Sequence, residues 1–335
     1  MMADNTMPYL DPHNMALLQT LGTVSNGKSF SEFTISQQRG LFQEIQKPRP
    51  ANPGITVSEH VVHTIHGEVK TFLYMPKTMN SAIPFVYYVH GGGWIFGGAA
   101  EFEAFAFDLV TKTGIAVVFP EYTLAPEKQF PVQHEQCLEV LQHVIKVGGE
   151  HGLETDRVVL AGDSSGGMYV SLPGNSLVTN AAAGQIISAI STLNKQRSLN
   201  LPIAHQIMLH PYINVTSEIL GGMLRDPVWA EQQKAAYFPT LEDRSSILGA
   251  PSRMSEEEVK KYMPPTTLIV ADQDPFKDQN EAFAKLLQTA GVSCGVVQAF
   301  GSFHDVEIFH QARDSPTVEL VMFAIAGKLR EVMGC

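Results

Sequence analysis

Cysteine is nearly missing from this 335-residue chain. Cys137, Cys294 and Cys335 are odd in number, scattered and without a CxxC spacing, which argues against both a disulfide framework and a zinc site. Cys335 stands last, not fourth from the end, so it forms no prenylation box. Basic charge is short as well: 23 Lys and Arg against 34 Asp and Glu leave a net charge of −11, with no basic block. That balance disfavours nucleic acid and anionic membranes as partners and suits a small neutral or apolar ligand. No run of about 18 apolar residues occurs, and the N-terminus lacks the cationic start and apolar core of a signal peptide. The expectation is a soluble, cytoplasmic protein without stable membrane insertion. What the chain does have is 44% hydrophobic residues, enough at this length for one large domain or a domain with a lid.

Short apolar runs rich in β-branched residues recur at 83–89, 115–119, 157–161, 204–209, 267–271 and 293–298. Helical patterns lie between several of them, such as 136–145 and 280–288. This alternation predicts an α/β fold with a mostly parallel central sheet flanked by helices. In such sheets ligands gather at the carboxyl ends of strands. Two segments break the rhythm. Residues 1–50 read as helices around Met15-Ala16-Leu17-Leu18 and Leu41-Phe42-Gln43-Glu44-Ile45, and residues 213–262 are long, charged and mixed. Both are expected to form a helical cap over residues 51–335, surface decoration being the alternative, since loops of this length are usually functional.

Two motifs carry the chemistry. His90-Gly91-Gly92-Gly93-Trp94 follows the run at 83–89, where three glycines make sense only if something must approach the backbone. Gly162-Asp163-Ser164-Ser165-Gly166 follows the run at 157–161. It is a G-x-S-x-G in the strand context of a nucleophile elbow, where Gly162 and Gly166 relieve the crowding of a sharp turn and Ser164 carries the hydroxyl. A serine needs a base, and the base an orienting carboxylate, in the order Ser, acid, His. Asp272, Asp274 and Asp278 follow the run at 267–271, and His304 follows the run at 293–298.

These motifs, with Glu121-Tyr122-Thr123-Leu124-Ala125-Pro126-Glu127, Phe130-Pro131, Pro264-Pro265 and Asp274-Pro275-Phe276-Lys277-Asp278, resemble the hormone-sensitive-lipase-like esterases of the α/β-hydrolase fold, the GDSAG-motif family. The resemblance runs from about residue 55 to the C-terminus. It implies Ser164 as nucleophile, Asp274 as orienting acid in preference to Asp272, and His304 as general base. It also implies an oxyanion hole at the N–H groups of Gly92, Gly93 and Ser165, with His90, Gly91, Gly162 and Gly166 supporting the motifs. Thr123 replaces the family's arginine, Ser165 its commoner alanine, and Asp305-Val306 its Gly-Phe after the histidine.

The expected function is hydrolysis of carboxylic esters of small or medium acyl chain through an acyl-enzyme. No cofactor or metal is expected; the partner is a small-molecule ester, with no nucleic acid, and a homodimer is left open. His60, His63 and His66 are spaced like a metal cluster, but on a strand the spacing of three puts His63 on the opposite face, so a solvated strand is expected. Trp94 either lines the acyl pocket or plugs the loop, and the methionines read as core filler. Alternatives are a non-catalytic ligand-binding receptor of the same fold, against which His304 argues, or a pathway-specific hydrolase or dehydratase.

One stretch lies outside the resemblance. The helix after the elbow should run on, yet Pro173-Gly174 stops it, and the helical pattern resumes only at Ile186-Ile187-Ser188-Ala189-Ile190. Residues 168–187 are either a loop over the site or an unspliced intron in the gene model, the second slightly favoured. Met168-Tyr169-Val170 can be encoded with a donor-like GTATGT, and Thr179-Asn180 with a branch-point-like ACTAAC. An acceptor inside the Ser188 codon would join Gly167 to Ala189 in frame.

Overall fold

The computed structural model describes residues 9–47, 51–79, 81–163, 183–216 and 227–335. Ser164, Ser165, Gly166 and most of the 168–187 stretch lie outside the described residues. Among the described residues eight strands form one sheet: β1 (Ile55–Thr64), β2 (Gly67–Pro76), β3 (Ile83–Val89), β4 (Ala116–Glu121), β5 (Leu153–Asp163), β6 (Ile203–Leu209), β7 (Thr266–Ala271) and β8 (Cys294–Ala299). Their order is β1-β2-β4-β3-β5-β6-β7-β8. From β4 through β8 all neighbours are parallel. Strands covered on both faces read as continuous apolar runs, and Phe85 to Val89 of β3 are all fully buried.

The first edge departs from the expected pattern. β1 and β2 form an antiparallel hairpin, and β2 joins β4 antiparallel. In β2 the buried Val69, Thr71 and Leu73 alternate with the less buried Glu68, Lys70 and Phe72, so only its second half, Phe72-Leu73-Tyr74-Met75, reads as an apolar run. A strand with one wet face needs only this period of two. Gly67, at φ +114°, closes the turn that contains Ile65 and His66. His66 is therefore in the turn, which corrects the expectation that the three histidines share a strand. His60 packs its ring against His151 at 4.7 Å, and the exposed His63 faces Glu68 at 3.4 Å.

The α-helices are α1 (Pro12–Val24), α2 (Ile35–Ile45), α3 (Ala99–Thr113), α4 (Val132–Val147), α5 (Ala183–Gln196), α6 (Pro227–Tyr237), α7 (Leu241–Ser245), α8 (Glu256–Tyr262), α9 (Lys277–Thr289) and α10 (Pro316–Met333). One group, α3 and α10, packs together on the sheet, and a second runs from α4 through α5 and α8 to α9. The ends of α10 are written in its sequence. Ser315 accepts the Val318 N–H, Pro316 takes the first position, and Gly334 at φ +79° stops the helix. Val318, Val321, Met322, Ile325 and Leu329 recur at helical spacing and are buried. Burying each such side chain stabilises by roughly 1.5–3 kcal/mol, and Ile325→Ala would cost about 2–5 kcal/mol.

Helix α5 begins at Ala183, before the expected Ile186. Gln185, Ile186 and Ile187 are fully buried, so a cut ending in the Ser188 codon would remove a packed helical turn.

The N-terminal helices sit on loops that leave the carboxyl ends of β3 and β8. Arg39 of α2 donates through Nε to the Ile95 carbonyl at 2.6 Å and through Nη2 to the Ala125 carbonyl at 3.0 Å, and it forks onto Glu127. Asn14 of α1 donates to the Gly301 carbonyl at 2.9 Å. Trp229 of α6 donates to Gln38 of α2 at 3.0 Å and stacks on Phe96. α8, from the same 213–262 segment, packs instead against α5 and α9.

Candidate active site

The glycine loop after β3 is held from below by rings and a carboxyl group. His90 is stacked on Tyr122 at 4.3 Å and Phe119 at 5.3 Å, and its Nδ1 lies 2.6 Å from the Gly91 carbonyl. Burial pulls this imidazole down to about 4, so it is neutral at ordinary pH and Nδ1–H is the donor to Gly91. The Tyr122 hydroxyl donates to the His90 carbonyl at 2.9 Å. The Gly91 N–H donates to Asp163 Oδ1 at 2.8 Å, and the Tyr88 hydroxyl donates to the same oxygen at 2.5 Å. Asp163 is the last residue of β5 and immediately precedes Ser164. Burial pushes its carboxyl up to about 8 against the pull of these donors.

Close approach explains the glycines. A Cβ on Gly92, at φ +112°, would stand 1.7 Å from the Phe96 carbonyl oxygen. On Gly93, at φ +60°, it would stand 1.9 Å from Nε2 of Gln233, a buried residue of α6. Trp94 next to them takes φ +62° and is fully buried. It stacks on Tyr237 at 4.5 Å and donates to Gln185 Oε1 at 3.2 Å, so it plugs the loop against α5 and α6.

Across the sheet, the segments after β7 and β8 meet. His304 Nδ1 lies 2.7 Å from Asp274 Oδ2, both residues being buried, and the Phe276 N–H donates to Asp274 Oδ1 at 2.7 Å. Burial alone would raise the Asp274 carboxyl, but His304 and His210 outweigh it and hold it at about 2. Burial in turn takes His304 below the usual imidazole range, against the pull of Asp274. His304 Nε2 lies 3.4 Å from Asp305 Oδ2. Asp272 does something else: its Oδ1 accepts the Ser302 N–H at 3.1 Å, clamping the β8 loop. Asp278 stands in the first turn of α9.

Three residues near this pair carry no recognisable signal in the sequence. Asp163 is a spacer within the elbow motif, His210 merely follows a strand, and Glu307 merely follows the histidine. The structure places His210 Nε2 2.8 Å from Glu307 Oε2 and His210 Nδ1 3.5 Å from Asp274 Oδ2. Among the described residues no group of three His, Cys, Asp or Glu converges as a metal site, and no helix is long and apolar enough to cross a membrane.

A family model described as alpha/beta hydrolase fold matches residues 86–308. The chain is 31% identical over 298 residues to an esterase of Gibberella moniliformis, covering 87% of this chain and 88% of that relative. It is 28% identical over 331 residues to an esterase of Fusarium pseudograminearum, covering 96% of each. In shape it is similar to a thermostable esterase from Pseudomonas putida, with a TM-score of 0.86 at 23% identity, covering 98% of this chain and 99% of that one.

Proposed function

We propose, for a chain that belongs to the alpha/beta-hydrolase fold family and is a carboxylesterase-like hydrolase, that Ser164, His304 and Asp274 cleave carboxylic esters through an acyl-enzyme. The observation that carries this reading is the buried 2.7 Å contact between His304 and Asp274 at the carboxyl ends of β7 and β8. Asp274 holds the proton on Nδ1, which leaves the lone pair on Nε2. His304 then takes the Ser164 proton as Oγ attacks the ester carbonyl. It returns that proton to the leaving alkoxide, and the same base activates water to release the acid. An imidazole lowered by burial is already in its basic form at neutral pH.

The developing oxyanion is received by the N–H groups of Gly92, Gly93 and Ser165, each such donor being worth roughly 3–4 kcal/mol in the transition state. Glycine at both positions lets Phe96 and Gln233 pack closely against this loop and hold it in shape. Residues 1–50, with α6 of the 213–262 segment, act as the cap. Trp94, Tyr237 and Phe238 pack together as a plug beside the glycine loop, and the preference for small and medium acyl groups follows from the likeness to esterases alone. The substrate is a small molecule and the chemistry needs no cofactor. Turnover of p-nitrophenyl esters of graded chain length tests the reading. Activity should peak at short to medium chains and vanish in Ser164→Ala; a folded protein that turns over none of them would defeat it.

A further inference from the structure

The buried pair of His210 and Glu307 has no task in the reaction as written. His210 follows the last residue of β6, holding φ +45°, a left-handed backbone that a histidine seldom adopts. Its N–H is anchored to the Ile269 carbonyl at 2.8 Å. That turn aims the ring between two carboxyl groups, Glu307 Oε2 at 2.8 Å from Nε2 and Asp274 Oδ2 at 3.5 Å from Nδ1. Neither His210 nor Glu307 reaches solvent. Asp274 Oδ2 therefore faces two imidazoles, His304 on one side and His210 on another.

Two groups compete for His210 Nδ1. The Ala271 N–H, 3.1 Å away, suits a bare nitrogen, whereas Asp274 Oδ2 suits a protonated one. The ring stands between two fully buried carboxyl groups, and a neutral ring would leave the Glu307 carboxylate with no cation in contact, so the protonated form balances the site; the same two groups outweigh burial and push the imidazole up to about 10. Other ionisable groups nearby are Asp163, pushed up to about 8, Asp305 at 3.4 Å from His304 Nε2, and Arg313, which donates to the Glu307 and Phe309 carbonyls. The His210 and His304 ring centroids are 5.7 Å apart, so a cation on the first opposes a cation on the second.

We propose that His210, carried as an imidazolium by Glu307, is a positioning residue that fixes the Asp274 carboxylate from a second side and keeps the base His304 unprotonated. The proposal rests on the Ser164, His304 and Asp274 reading. Loss of turnover in Ser164→Ala tests that reading separately from the role of His210.

The test is the pH profile of kcat/KM for p-nitrophenyl acetate in wild type, His210→Gln, Glu307→Gln and the double variant, together with imidazole nitrogen NMR of the wild type. In His210→Gln the acid limb should move up by about half to one pH unit, because a nearby positive charge is gone. kcat should fall roughly tenfold with KM little changed. Glu307→Gln keeps the shape but frees the His210 proton, adding an ionisation to the profile that the double variant lacks. The NMR should show His210 doubly protonated at mildly alkaline pH. An acid limb that stays in place in folded His210→Gln, or a neutral His210 in the wild-type spectrum, would overturn the proposal. If His210→Gln does not fold, Glu307→Gln and the wild-type spectrum still decide.

Discussion

Asp163 accepts the Gly91 N–H at 2.8 Å, which joins the end of β5 to the glycine loop after β3. The residue before Ser164 and the proposed oxyanion loop are thus tied to each other directly. Burial pushes the Asp163 carboxyl up to about 8, which favours its protonated form at neutral pH. Asp163→Asn keeps an acceptor for Gly91 and Tyr88 and should leave activity nearly intact. Asp163→Leu strands both donors and should destabilise by about 1–3 kcal/mol. The sign of the pH effect comes from the raised carboxyl: the fold holds a proton that the unfolded chain loses above 3.8. The Asp163 contribution should therefore be lost as pH rises from 3.8 to about 8, so that the stability of wild type relative to Asp163→Asn falls across that window. Thermal melts across that window check it.

Ser164→Ala and His304→Ala should each abolish ester turnover to a similar degree, since triad members act as a unit and their losses do not add. A fluorophosphonate probe should label wild type and Ser165→Ala alike and leave Ser164→Ala unlabelled. Folded variants with near-wild-type rates would remove the assignment.

Asp274→Asn should lower kcat by roughly three to four orders of magnitude, because an amide leaves the imidazole in the wrong tautomer. Asp272→Asn should cost within about tenfold, since its oxygen can still accept the Ser302 N–H. Steady-state kinetics of both settle the ranking, and the reverse order would move the acid by two positions.

Gly92→Ala should be the more damaging of two loop substitutions. Its new Cβ meets a backbone carbonyl, which cannot step aside, whereas at Gly93 it meets the Gln233 side-chain amide. The expected result is a protein that folds poorly or hydrolyses no ester for Gly92→Ala, and reduced kcat with a repacked Gln233 for Gly93→Ala. Circular dichroism with kinetics separates the two.

The partners Asp274 and His304 are legible in the sequence because both follow short apolar strands, and a parallel sheet lines such ends up side by side. His210 and Glu307 are not legible. One histidine after a strand and one glutamate after another histidine form no pattern, and only the fold brings them within 2.8 Å. β1 and the first half of β2 escape a search for apolar runs because one of their faces is wet. The start of α5 is hidden for a related reason: Ala181-Ala182-Ala183-Gly184 offer no periodic apolar face, although Gln185 is already bonded to Trp94. Asp272 and Asp274 cannot be ranked by position past a strand, since both lie just beyond β7; their hydrogen bonds divide the work between loop and imidazole.

Arg39 gives the molecule a constraint of another kind. One guanidinium on α2 grips the Ile95 and Ala125 carbonyls and the Glu127 side chain. A helix fastened this way is not an interchangeable module. Grafting the N-terminal helices of a relative to import its substrate range would also re-tension the backbone that follows the three glycines, so selectivity and turnover would be inherited together.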